Sequence, residues 1–343
     1  MKIIITGGAG FIGCNAAARY IDRGDSVVVV DDLSRPGATR NRDWLLAKGH
    51  TEIAQVDIRD AGRVIQVFRE HADAGLILHL AGQVAVTTSV ADPRADFEAN
   101  ALGTFNVLEA TRLAGIHAPF LYSSTNKVYG GMEDLNVVER NGQYAYDELY
   151  SGVPEHRGLD FHSPYGCSKG AADQYVRDYA RIYGLKTVVL RQSCIYGYRQ
   201  FGVEDQGWVA WFTIAAQLGR PITIYGDGKQ VRDVLFVDDL LDAYDHASER
   251  IEHVAGRVYN VGGGPGNVLS LLRLIEYLGT KRGEPLPYTV SAWRPGDQRV
   301  FISDIRLAQQ ELDWTPKTSC LQGLDLLYEW VGQHVHLFQT AHA

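Results

Sequence analysis

Cysteine is scarce in this chain: four in 343 residues, and Cys14, Cys167, Cys194 and Cys320 are scattered without metal-ligand spacing. That excludes a disulfide-stapled scaffold and a zinc module, and it points to a reducing, cytoplasmic setting with no metal. No apolar run approaches the roughly 20 residues that cross a bilayer, and the chain opens on a short core strand. Neither a membrane partner nor a leader peptide is expected. Runs of lysine or arginine are missing too, since 33 basic residues face 41 acidic ones for a formal charge of -8. A nucleic-acid partner would find no basic patch. Neither an internal repeat nor a low-complexity tract is visible. The 45% of hydrophobic residues suffices for a buried core in one large or two coupled domains.

What is present is a regular alternation. Short apolar segments at 2–5, 26–30, 51–56, 75–80, 118–122 and 186–190 read as buried strands, separated by helical stretches. This predicts right-handed crossovers, hence an α/β, doubly wound parallel sheet covered on both faces. Two long helices are expected, 93–114 opening on Pro93 and 168–183 capped by Ser168 and stopped by Gly184. After Arg191 the pattern decays into loops rich in Gly, Tyr and Trp and resumes at Val258 to Val261. We therefore expect a Rossmann domain over 1–190, to which the chain returns around 234–262, and a smaller substrate-binding lobe from 191–233 and 263–343. Gly152 to Gly158 reads as an ordinary surface loop.

The first strand runs into TGGAGFIG at 6–13 and then into a helix. Gly7 suits a tight turn, Gly10 a close approach of backbone to a pyrophosphate, and Gly13 close packing of helix on strand. The second strand ends at Asp31, where a carboxylate can accept both ribose hydroxyls of a dinucleotide and would repel a 2′-phosphate. NAD is the expected cofactor.

Further on, the strand at 118–122 leads into Ser123-Ser124-Thr125, forty residues before Tyr165, and Lys169 follows four residues later. Tyr165 and Lys169 lie one helical turn apart and can face one crevice, although a Tyr-x-x-x-Lys pair is also a common helical pairing without chemistry. The residue types suit oxidation of an alcohol. A phenol of pKa near 10 is a weak base at neutral pH; a cation about 4 Å away contributes roughly 4 kcal/mol, enough to bring it to about 7. Thr125 would orient the reacting hydroxyl.

These residues, with Asp57-Ile58, Leu80-Ala81-Gly82 and Asn100, resemble the extended short-chain dehydrogenase/reductase family of nucleotide-sugar enzymes over nearly the whole chain. The resemblance implies that Phe11 and Ile12 of the glycine loop line the cofactor, that Asp57 and Ile58 flank its adenine, and that Ala81, Gln83 and Asn100 lie along it. Asp57 could instead cap a strand end, and Asn100 could be a hydrogen-bonded helix residue. SSTNKVYG at 123–130, LDFHSPYGCSKGAADQY at 159–175 and DQGWV at 205–209 are similar to a branch that inverts carbon 2 of CDP-linked deoxyhexoses through a transient ketone.

The sugar dehydratases of that family carry an Asp-Glu pair directly after the active-site threonine, because losing water needs an acid and a base. Asn126 and Lys127 stand there in this chain, which argues against elimination. By the same resemblance Arg232 and Arg294 bind the substrate diphosphate, as guanidinium forks do, while Gln206 and Trp208 offer a polar contact and an apolar wall. Each arginine could instead pair with an acid, and Trp208 could be core. Cys194 and His162 are read as packing and loop residues. A 4-epimerase acting on UDP- or GDP-sugars is the alternative chemistry, and a non-catalytic NAD sensor or scaffold the alternative class. Pairing through the two long helices into a homodimer or homotetramer is also implied.

Overall fold

The computed structural model describes residues 1–294 and 296–339, so the last four residues of the expected lobe lie outside the described residues. Seven parallel strands form the central sheet: β1 Lys2–Thr6, β2 Ser26–Asp31, β3 Thr51–Gln55, β4 Leu76–His79, β5 Phe120–Thr125, β6 Thr187–Gln192 and β7 Val258–Val261. Their order across the sheet is β7-β6-β5-β4-β1-β2-β3. The chain winds one way from β1 to β3 and the other way from β4 onward, so a crevice opens at the carboxyl end of β1, flanked by β2 and β4. Strands such as Ile3-Ile4-Ile5 and Val27 to Val30 are buried on both faces, which is why they read as continuous apolar runs rather than alternating ones. Two apolar clusters, one on each side of the sheet, hold the helices to it.

Several elements differ from the expected ones. β5 continues through Ser123, Ser124 and Thr125, pairing in register with β6 up to Thr125 opposite Gln192. The long helix runs Pro164–Tyr183, with Ser163 rather than Ser168 as its cap: the Ser163 hydroxyl accepts the Gly166 amide at 3.0 Å and Pro164 fills the first turn. Ser168 sits one turn inside the helix, and Gly184 ends it in the left-handed conformation. The expected helix 93–114 is a helical run interrupted by a π-helical turn at Glu98–Leu102, a feature that gathers at functional sites. Gly152 to Gly158 is not simply surface. Val153 is fully buried, bridges to Ser303 and donates to the Ile302 carbonyl at 2.7 Å, because this segment packs beside the edge of the main sheet.

Beyond β6 the chain builds a second, four-stranded sheet in which Val231–Phe236 pairs with Cys194–Tyr196, Val268–Ser270 and Val300–Phe301. Helices Trp208–Leu218, Leu271–Arg282 and Cys320–Gln333 close over it in a separate apolar cluster. The helix Val237–Glu249 returns to the main sheet, as does the segment holding Ile305, Ala308, Leu312 and Trp314.

Candidate active site

The glycine loop owes its shape to contacts that no side chain would survive. Gly7 has φ of +69°, and a Cβ there would stand 2.7 Å from the Ala81 amide nitrogen; one on Gly13 would stand 2.2 Å from the Gly7 carbonyl oxygen. The helix Phe11–Asp22 begins at Gly10 with no side-chain cap and no acid in its first turn. Its leading N–H groups are therefore free to meet an anion. Phe11 and Ile12 pack partly into the apolar clusters behind the loop. Asp31, at the end of β2, accepts the Ala9 amide at 3.0 Å and the Leu33 amide at 2.8 Å, while burial raises its carboxyl pKa.

On the other flank, Ala81 donates to the Thr6 hydroxyl at 3.3 Å. Gln83 turns into its own loop, donating to the Ala85 carbonyl at 2.8 Å and to Asp96 at 2.9 Å. Asn100, in the π-helical turn, donates to Asp96 at 3.0 Å and Ser168 at 3.1 Å. Its Oδ1 is buried without a partner, and a Cβ on Gly82 would come within 2.6 Å of it. An orphaned acceptor, a side-chain-free floor, an uncapped helix start and a strand-end carboxylate together fit a dinucleotide. Asp57 and Ile58 are both engaged within the protein. Asp57 is gripped by Arg59, whose Nε lies 3.0 and 2.9 Å from its two oxygens, and this ion pair holds its pKa down. Ile58 is 7% exposed and packs in the core.

Thr125, Tyr165 and Lys169 do converge, and all three are buried. The Thr125 hydroxyl donates to Asn126 Oδ1 at 3.3 Å and accepts the Lys127 amide at 3.2 Å, and it favours the charged form of the Tyr165 phenol. The electrostatics differ from expectation. Burial pushes Tyr165 up to about 12, Asp96 adds to the rise, and only Thr125 and Arg35 act against it. Lys169 does not offset it, because its ammonium lies 2.6 Å from the Ser123 carbonyl and 4.3 Å over the Tyr122 ring. Burial brings Lys169 itself down to about 7, partly opposed by Asp173 and Asp96. In a pair predicted to share one charge, burial thus disfavours the charged form of both the phenol and the amine.

Three residues of this site escaped sequence reasoning. Asp96 is 1% exposed and accepts Ser168, Gln83 and Asn100; its signal was the i, i+4 spacing to Asn100. Asp173 is fully buried, forms a two-point ion pair with Arg191 at 2.9 and 3.0 Å, and accepts the Ser124 hydroxyl at 2.9 Å. It repeats the four-residue step from Tyr165 to Lys169. Arg35, in the loop after β2, hydrogen-bonds Gln206 across the cleft and interacts electrostatically with Tyr165 and Asp31. A cation at the carboxyl end of a crevice strand was the available cue.

Of the proposed substrate residues, Arg232 lies on the second sheet, Gln206 and Arg294 lie in loops, and Trp208 opens a helix. Arg232 is 12% exposed and pairs with Asp297 at 2.6 Å. Lys127 faces both: burial and Arg232 lower its pKa to about 8, Asp297 opposes them, and its ammonium lies 3.4 Å from the Gly296 carbonyl. Arg294 pairs with Asp205 at 2.8 Å and stacks 3.8 Å over the Tyr225 ring. Both arginines therefore have the acid partners that were the competing reading. Trp208 packs against the second sheet's cluster, edge-on to Phe212 at 6.1 Å, in the same cluster as Cys194, whose thiol burial pushes up to about 12. His162 lies in a loop between Asp160 at 3.1 Å and Glu133 at 3.2 Å. Among the described residues no His/Cys/Asp/Glu group could hold a metal, and no helix is long and apolar enough to cross a membrane.

The model of the NAD dependent epimerase/dehydratase family matches residues 3–262. The chain belongs to that family. Among members of it, a CDP-paratose 2-epimerase of Salmonella typhi is 45% identical over 96% of this chain and 99% of its own. A dTDP-glucose 4,6-dehydratase of Salmonella typhimurium is 30% identical over 96% and 92%. Among solved structures, a Thermus thermophilus UDP-glucose 4-epimerase in complex with NAD superposes with a TM-score of 0.81 at 30% identity, covering 99% of this chain and 100% of that one. In this epimerase/dehydratase family the nucleotide is NAD and the substrates are nucleotide sugars. The expected parallel Rossmann sheet and the expected cofactor are both borne out.

Proposed function

We propose that the protein inverts carbon 2 of a CDP-linked dideoxyhexose, interconverting sugars of the CDP-paratose and CDP-tyvelose type through a transient 2-ketone. The observation that carries this reading is the pair Asn126-Lys127 beside Thr125, which puts an amide and an amine where elimination would need an acid and a base. Identity of 45% along the length of a CDP-paratose 2-epimerase supports it.

NAD, held by Gly7, Gly10, Gly13, Asp31 and Asn100, supplies a hydride acceptor when bound. The chain's own residues do the rest. Thr125 and Tyr165 grip the hydroxyl on carbon 2, and Tyr165 takes its proton and later returns it. Lys169 lies one turn along the helix, bound to the Ser123 carbonyl, and Arg35 and Thr125 favour the phenolate. Arg232 and Arg294 exchange their acid partners for the diphosphate and keep the ketone attached while the ring turns over. Trp208 and Gln206 wall the sugar.

A dimer is part of the proposal. Phe97, Phe105, Tyr175, Ile182 and Tyr183 expose apolar area on adjoining helices, with Ile182 at 65%, and such a patch suits an isologous contact. Incubation with CDP-, UDP- and GDP-sugars, read by NMR, should invert carbon 2 of a CDP-sugar. Inversion at carbon 4 alone would replace this reading with a 4-epimerase.

A further inference from the structure

Away from the cofactor cleft, an open groove of about 900 Å³ runs between the carboxyl half of the long helix, the 148–156 segment and the edge strand β7. Five arginines line it: Arg177 and Arg181 on the helix, Arg191 on β6, Arg257 ahead of β7, and Arg306. Three of them are neutralised. Arg191 is paired with buried Asp173, Arg257 with Glu311, and Arg306 with Asp304 at 2.6 Å.

Arg177 and Arg181 are not. Among the described residues neither has a carboxylate partner; Arg177 makes one bond, to the neutral Gln174 amide at 3.3 Å, and its Nε is buried with nothing to donate to. Burial and the neighbouring cations Arg181 and Arg191 together lower the pKa of Arg177, partly opposed by Asp173. Of the other acids on the wall, Glu155 is turned inward to accept the Asn260 amide at 2.8 Å, and Glu148 stands exposed on its loop. Two unmatched guanidinium groups, one turn apart on a single helix, therefore converge on a groove of ligand size in a chain of charge -8. Leaving a buried donor unmade is costly, and an anion that accepts from both forks removes the cost.

We propose that this groove is a second binding site, taking the phosphate or diphosphate group of a small anionic ligand at Arg177 and Arg181. The test is calorimetric titration of the protein as purified, with its nucleotide, using inorganic pyrophosphate and inorganic phosphate in separate runs. Because pyrophosphate also suits the proposed diphosphate residues of the active site, wild type is compared with Arg232→Ala and with Arg177→Gln/Arg181→Gln. The expected result is binding of at least one of the two anions that persists in Arg232→Ala and weakens about 10- to 100-fold in the double variant, the range for loss of charge-assisted hydrogen bonds. Should the double variant fail to fold by circular dichroism, exposed Arg181→Gln alone should weaken binding about tenfold. Binding unchanged in these variants, or binding that vanishes with Arg232→Ala, overturns the proposal.

Discussion

Lys169→Met perturbs the site most informatively, because it removes a charge that only the tertiary structure makes costly. Lys169 is 6% exposed, and burial holds its ammonium at about 7 against an ordinary 10.5. Below about 7 both folded and unfolded chains carry the proton, and the folded state bears the whole desolvation cost. Between about 7 and 10.5 the unfolded chain keeps the proton while the folded one releases it, so stability rises with pH and the cost is gone above that window. At about 1.4 kcal/mol per pH unit the upper bound is about 5 kcal/mol. Relaxation of the site, with an effective dielectric of roughly 20, leaves an expected change of about 2 to 3 kcal/mol. Urea unfolding of nucleotide-free wild type and variant at several pH values between about 7 and 10 reads the effect as a difference, in which other titrating groups cancel. The variant should compare most favourably near pH 7 and lose ground steadily above it. Losing the bond to Ser123 moves the offset between the curves but not their slope. Parallel curves would refute the reasoning, since they would mean that Lys169 keeps an ordinary pKa.

Tyr165→Phe should lower turnover about 100- to 10,000-fold while the bound nucleotide, released and weighed by mass spectrometry, stays at wild-type occupancy; near-normal turnover would mean another base. That nucleotide should be NAD and not NADP, and Asp31→Ala should narrow the difference in affinity between the two, which fluorescence titration can follow. Asp173→Asn should destabilise the fold by about 3 to 5 kcal/mol in chemical denaturation, because Arg191 is left charged and buried. A deuterium at carbon 2 of the sugar should survive in the inverted product and none should enter from heavy water; solvent deuterium at that carbon would point to acid-base epimerisation.

The sequence by itself determined whatever depends on neighbours along the chain. Strand-helix alternation is written in apolar runs such as Ile3 to Ile5 and Val27 to Val30, and the turn at Gly7 and Gly13 in a steric demand that glycine alone meets. Thr125, Tyr165 and Lys169 were legible because a strand end and one helical turn set their spacing. Tertiary structure decided the energies. The phenol rises to about 12 because segments distant in sequence wall it from water and bring Asp96 beside it. Asp173 and Arg191, eighteen residues apart, are separately unremarkable charges, and they matter only as a dry pair. Periodicity and sterics act over a few residues and survive in a string of letters. Desolvation and Coulomb interactions act through space, and their sign at Tyr165, Lys169 and Arg177 was set only when the fold chose their neighbours.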